Sequence, residues 1–192
     1  MRAPGCVPAA GFVLAGGRST RMGTDKAMLS RDGRTLLEQA ATQVEKAAGT
    51  AVIIGDPIRY GQFRWPVIQD RLPGRGPLGG IVTALEITTS SWNLITACDM
   101  PRLDSGFLAA LLREAAALPP GFDCLVPLSP SGPEPLCSVY HRQSLPALRD
   151  ALEHNILKMR RALDSLAVQY HSVPDMDRFL NINTPGDWLA HA

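Results

Sequence analysis

Between Leu14 and Lys26 the chain reads Leu-Ala-Gly-Gly-Arg-Ser-Thr-Arg-Met-Gly-Thr-Asp-Lys, which sets two adjacent glycines beside the cations Arg18, Arg21 and Lys26. Gly16 and Gly17 free the backbone to turn tightly and to aim successive N–H groups at an anion, while the cations supply positive charge. Together they outline a polyphosphate cradle. The segment is neither a Walker A loop, G-x-x-x-x-G-K-[ST], nor the dinucleotide fingerprint G-x-G-x-x-G. Two carboxylates, Asp70 and Asp99, close apolar runs further along the chain.

These residues need elements to position them. Gly11–Leu14 is a short apolar run ending in glycines, and Thr35–Ala48 then places Leu36, Leu37, Ala40, Ala41 and Val44 at helical spacing. Strands are expected at Thr50–Ile54, Pro66–Gln69, Trp92–Ala97, Phe122–Pro127, Leu136–His141, Val168–Val173 and Phe179–Ile182. Helices are expected at Pro77–Ile87, from an Asp104 cap to Leu118, and in short pieces at Gln143–Glu153 and Leu157–Leu166. The alternation predicts a three-layer α/β/α, Rossmann-like fold with a mostly parallel sheet and right-handed crossovers. Ligands in such sheets bind beyond the carboxyl ends of the strands, where Leu14–Lys26, Asp70 and Asp99 all fall.

Composition narrows the partners. A chain of 192 residues, 45% hydrophobic and 19% charged, can bury one substantial core, so residues 1–192 are expected to form a single domain, with 1–10 as a flexible extension. A formal net charge of +1 gives no broad attraction for nucleic acid or an anionic membrane, so phosphate-binding charge must be local. Cys6, Cys98, Cys124 and Cys137 contain no C-x-x-C pair and read as reduced, mostly buried small hydrophobes. Nothing approaches the roughly 20 apolar residues of a membrane span, and the first ten residues lack the apolar run of a signal peptide. A cytoplasmic location is the expectation.

The motifs, taken in order, resemble one family. Leu14–Lys26, Asp70, Gly76-Pro-Leu-Gly-Gly80, Cys98-Asp-Met-Pro101, Pro133-Glu-Pro-Leu136 and Asn181-Ile-Asn-Thr-Pro185 together look like the molybdenum cofactor guanylyltransferases, of the MobA type within the nucleotidyltransferases. Gly17 and the Asp25-Lys26 pair favour the guanylyl branch; related cytidylyltransferases look more like L-A-A-G with a Pro before the Lys. The resemblance implies transfer of GMP from GTP to the terminal phosphate of a molybdopterin-type cofactor, releasing pyrophosphate. By the same resemblance Leu14, Ala15, Gly16 and Gly17, with Arg21 and Lys26, face the phosphates, Asp70 contacts the nucleotide, and Asp99 holds Mg2+, a hard cation suited to carboxylate and phosphate oxygens. Arg21, Lys26 and Asp99 are then the catalytic residues. Asn181 and Asn183 are candidates for holding the second substrate or the metal. Lys158, Arg160, Arg161 and the segment Pro135–Tyr140 are candidates for the pterin pocket. Transient contact with molybdoenzymes or cofactor-delivery proteins is a further implication, with no nucleic acid and no membrane involved.

Plainer explanations compete at several positions. Asp99 has the alternative of a turn residue before Pro101, and Asp70 that of a loop residue in a solvated ion pair with Arg71. Thr184-Pro-Gly-Asp187 reads as a capping box with Pro at the first helical position, so Asn181 and Asn183 have equal claims to a structural role. Arg18 reads as an ordinary surface residue, and His141, His154, His171 and His191 show no ligand spacing. Gly55 is a nucleotide-binding candidate by its place in the resemblance but departs from the family: it stands where some members carry an Asn that touches the guanine nucleotide, so its contact with the base is left open. Two other functions stay open, a related nucleotidyltransferase using CTP or a sugar phosphate, and a nucleotide- or cofactor-binding carrier without turnover.

Overall fold

A computed structural model describes residues 9–16, 25–175, 177–184 and 186–188. The strands are β1 (Ala9–Ala15), β2 (Ser30–Arg31), β3 (Arg34–Thr35), β4 (Val52–Gly55), β5 (Val67–Ile68), β6 (Trp92–Ala97), β7 (Cys124–Ser129), β8 (Gly132–Pro133), β9 (Cys137–His141) and β10 (Val168–Ser172). The helices are α1 (Leu36–Ala48), α2 (Pro57–Tyr60), α3 (Gly76–Ile87), α4 (Ser105–Ala116), α5 (Leu145–Glu153) and α6 (Met159–Ala162). The main sheet runs in the order β10-β7-β9-β6-β1-β4-β5, with β8 paired to β7, while β2 and β3 form a separate hairpin. Strands β10, β7, β6, β1, β4 and β5 share one direction; β9 runs antiparallel between β6 and β7.

Helices cover both faces, and the strands are apolar on both. In β1, Val13 faces the layer of α1 and α4, packing in one cluster with Leu37, Ala41, Leu108 and Leu111. Its neighbours Phe12 and Leu14 join the opposite layer with Leu78, Ile81 and Leu85 of α3 and Leu148 of α5. Alternation along a strand buried on both sides produces a continuous apolar run, which is why β1 and β6 read so clearly in the sequence. Leu78 to Leu85 of α3 are all buried, so that helix carries no polar stripe.

Local chemistry fixes the element ends. Thr35 caps α1 in a full capping box with Glu38, and Gly49 ends the helix in the left-handed conformation at φ 77°. Asp104 caps α4 through the Phe107 amide at 2.9 Å. Three expectations need correcting. Ala9 and Ala10 already belong to β1, paired with Trp92 and Asn93, so the expected extension does not reach residue 10. Leu157–Leu166 breaks into the one-turn α6 and a 3-10 turn at 163–165. Phe179–Ile182 is not a strand: residues 177–179 form a 3-10 turn and 180–183 an irregular segment that buries Phe179 and Ile182. No helix among the described residues is long and apolar enough to cross a membrane.

Candidate active site

The parallel register brings three strand ends to one edge. Ala15 of β1 pairs with Gly55 of β4, and Leu14 with Ala97 of β6. Cys98 continues that alignment by donating its N–H to the Leu14 carbonyl at 3.3 Å, so Asp99 emerges beside the end of β1, next to Gly16. Gly16 is exposed there. Gly17 and Arg21 of the expected phosphate cradle lie outside the described residues.

Asp25 Oδ1 accepts from the Ala27 amide at 3.1 Å and caps a 3-10 turn over Lys26–Met28. Lys26 is the first residue of that turn. Its Nζ donates to Asn183 Oδ1 at 2.8 Å and lies 3.9 Å from Asp99 Oδ2. Three sequence-selected residues thus meet, from positions as far apart as 26 and 183. Asn183 is delivered by the C-terminal segment, which docks its Ile182 amide on the Asp99 backbone carbonyl at 3.0 Å. Arg178 secures that segment: it pairs with Asp104 at 2.6 Å and lies over the Phe107 ring, while Arg102 holds Asp177 at 2.8 Å.

Asp99 is electrostatically expensive. Its Oδ1 is buried and has no hydrogen-bond partner among the described residues. Burial pushes its carboxyl above the usual carboxylate range, and the Lys26 ammonium only partly opposes that. A carboxylate withdrawn from water without full pairing costs stability, and such groups collect where a ligand or ion completes them. The donor set fits a hard cation: one carboxylate oxygen is uncommitted. Among the described residues no three His, Cys, Asp or Glu side chains cluster as a metal cage; Mg2+ in phosphoryl-transfer sites commonly takes one or two carboxylates and completes its shell with phosphate and water. Burial pushes the neighbouring Cys98 thiol well above its usual range.

Other selected residues are placed differently. Asp70 Oδ1 accepts from the Leu72 amide at 2.9 Å and the Thr83 hydroxyl at 3.1 Å, binding the loop after β5 to α3; Arg71 pairs with Glu86 at 3.1 Å, correcting the expected Asp70–Arg71 pair. Asn181 donates to the Phe179 carbonyl at 3.0 Å and shapes its own turn. Thr184 and Asp187 form the expected box, Asp187 Oδ2 accepting from the Asn183 and Thr184 amides and Thr184 Oγ1 from the Asp187 amide. Arg160 donates to the Ser131 carbonyl at 2.9 Å, bracing the loop that carries Glu134. Gly55 is buried, and a Cβ there would lie 2.4 Å from the Ala15 carbonyl oxygen and 2.9 Å from the Tyr60 ring. The space that an Asn would need is filled.

The profile of the MobA-like NTP transferase domain matches residues 11–171 of this chain. The chain belongs to that family. Among relatives of this MobA-like transferase are two proteins named probable molybdenum cofactor guanylyltransferase. That of Carboxydothermus hydrogenoformans is 31% identical over 186 residues, covering 92% of this chain and 91% of its own. That of Deinococcus radiodurans is 34% identical over 184 residues, covering 94% and 92%. The crystal structure of molybdopterin-guanine dinucleotide biosynthesis protein A from Archaeoglobus fulgidus superposes with a TM-score of 0.81 at 27% identity, covering 94% of this chain and 95% of its own. The Rossmann-like α/β architecture and the nucleotidyltransferase class are therefore those of this MobA-like chain.

Sequence reasoning selected Lys26, Asp99 and Asn183 but passed over Tyr60. Its hydroxyl donates to Asp25 Oδ2 at 2.7 Å. No motif contains Tyr60, and its only sequence signal is its place just after the Asp56-Pro57 turn that follows β4.

Proposed function

We propose that this protein transfers GMP from GTP to the terminal phosphate of molybdopterin, giving the guanine dinucleotide form of the cofactor and pyrophosphate. The relatives' names support the substrates. The observation that carries the site is the buried Asp99 oxygen, without a hydrogen-bond partner among the described residues, beside Lys26 and Asn183 at the ends of β1 and β6.

A phosphate oxygen of the pterin forms a bond to the α-phosphorus as the bond from that phosphorus to the bridging oxygen breaks, and the electron pair leaves on pyrophosphate. The nucleophile is already ionised at neutral pH, so no side chain has to take a proton. What the chain must supply is position and charge. Lys26 meets the negative charge of the β- and γ-phosphates, aided, as the family resemblance implies, by the segment after β1 with Gly16, Gly17 and Arg21. Asp99 would hold Mg2+, which when bound supplies charge that offsets the repulsion between the two phosphate substrates. Asn183, tied to Lys26 and rooted beside Asp99, orients the acceptor phosphate.

Incubation with molybdopterin and either α-labelled GTP or α-labelled CTP separates this reading from its relatives. The label is expected in a pterin dinucleotide from GTP. Preferential incorporation from CTP would overturn the guanylyl assignment.

A further inference from the structure

Asp25 stands immediately before Lys26, and both of its carboxylate oxygens are committed. Oδ1 caps the turn that begins at Lys26, through the Ala27 amide at 3.1 Å. Oδ2 accepts the Tyr60 hydroxyl at 2.7 Å and lies 3.6 Å from the Arg59 guanidinium. Tyr60 is itself fixed. It ends α2, a single turn held by an Asp56 cap on the Ile58 amide at 2.9 Å and by Pro57 at its start.

The Tyr60 ring packs over Gly55, in the space where a Cβ at 55 would have to lie. Only 3% of Tyr60 is exposed. Burial, then the bond to Asp25, push its phenol well above the usual value, so it stays a donor at any physiological pH. A rigid peg from the end of β4 thus fixes the carboxylate that aims the turn carrying Lys26. Without that donor, Asp25 keeps, among the described residues, the Arg59 guanidinium at 3.6 Å and its own turn.

We propose that Tyr60 is a positioning residue for the nucleoside triphosphate, acting through Asp25 to hold Lys26 at the phosphates. This inference rests on the phosphate role given to Lys26 above. It assigns a function to the loop after β4 that does not depend on a base-contacting side chain at 55. The bare glycine and the buried tyrosine act together: the ring occupies the space and the hydroxyl reaches the phosphate end of the site.

Tyr60→Phe removes the hydroxyl and keeps the ring, so the packing against Gly55 survives. Calorimetric titration with Mg·GTP, on Tyr60→Phe, Lys26→Ala and the double variant, tests the route. Tyr60→Phe is expected to weaken binding about five- to ten-fold, within the range of the net contribution of one ordinary hydrogen bond, because the lost bond acts on the phosphates only through Asp25 and Lys26. In the Lys26→Ala background the same change is expected to cost less than about two-fold, because the group it positions is gone. Equal losses in both backgrounds, or unchanged binding by Tyr60→Phe, would overturn the proposal. A parallel Mg·CTP titration keeps the two readings apart. A wild-type preference for CTP removes the guanylyl assignment, while the Tyr60→Phe loss measured with CTP still decides the role of Tyr60. A wild-type chain that binds neither triphosphate overturns both.

Discussion

Asp99 carries the sharpest conflict between stability and chemistry in the molecule. Its carboxyl is raised by burial, so the folded state binds a proton there more readily than the unfolded chain does. Stability from this group is therefore present at pH below the ordinary carboxylate range and is lost as pH rises through its raised folded value. Asp99→Asn removes the charge and keeps the shape. The variant is expected to be at least as stable as wild type at pH 7 in denaturant titrations, with its advantage shrinking as pH falls through the raised folded value and gone by about pH 4, the ordinary carboxylate value. A variant clearly less stable at pH 7 would show that the Lys26 pair outweighs desolvation. Lys26 and Asp99 were legible because each closes a run of distinctive residue types. Asn183 was half legible, since the cap at Thr184 explained its neighbourhood equally well; its bond to Lys26 spans 157 positions and has no local signature. Tyr60 was not legible at all, because a buried tyrosine after a short helix looks like core until its hydroxyl finds a partner.

Elements position these side chains through register and close packing. Strand β6 was read to the residue and the centre of β1 was found, though β1 runs two residues earlier and one later than expected; both faces of the sheet are covered and the apolar runs are unbroken. The C-terminal segment misled for the same reason: Phe179 and Ile182 are apolar and close together, but they plug the core from an irregular chain instead of pairing in a sheet. Strand β5 shrank to two residues because Asp70 folds back onto Leu72 and Thr83. That fold explains a glycine in α3. A Cβ at Gly79 would lie 2.7 Å from the Leu72 carbonyl oxygen and 3.2 Å from the Arg75 Cβ. In an open helix Gly→Ala stabilises by about 1 kcal/mol. Here Gly79→Ala is expected to reverse that sign and destabilise by about 1–2 kcal/mol, because the backbone of the Asp70 turn must shift. Urea denaturation checks it, and a stabilised Gly79→Ala would mean that the turn yields freely.

Across the whole molecule, the chain order of the strands assembles the site. Crossovers place β1 at the centre between β6 and β4, so loops from three parallel strands open on one edge. The antiparallel β9, which alternating strands and helices do not forecast, returns the chain between β6 and β7 and brings Leu136 to the Ala97 amide at 2.8 Å. The C-terminal segment then crosses to the same edge, held by Arg178 and Arg102, and adds Asn183 to what β1 and β6 began. In the function proposed above, this convergence on Asp99 performs the transfer. Pyrophosphate release from GTP and molybdopterin, compared between wild type and Asp99→Asn, tests it most directly. A drop of about 10³-fold in kcat is expected, the scale of several kcal/mol of lost charge stabilisation, with circular dichroism and melting showing an intact fold. An Asp99→Asn protein that releases pyrophosphate at a rate near wild type would contradict the account.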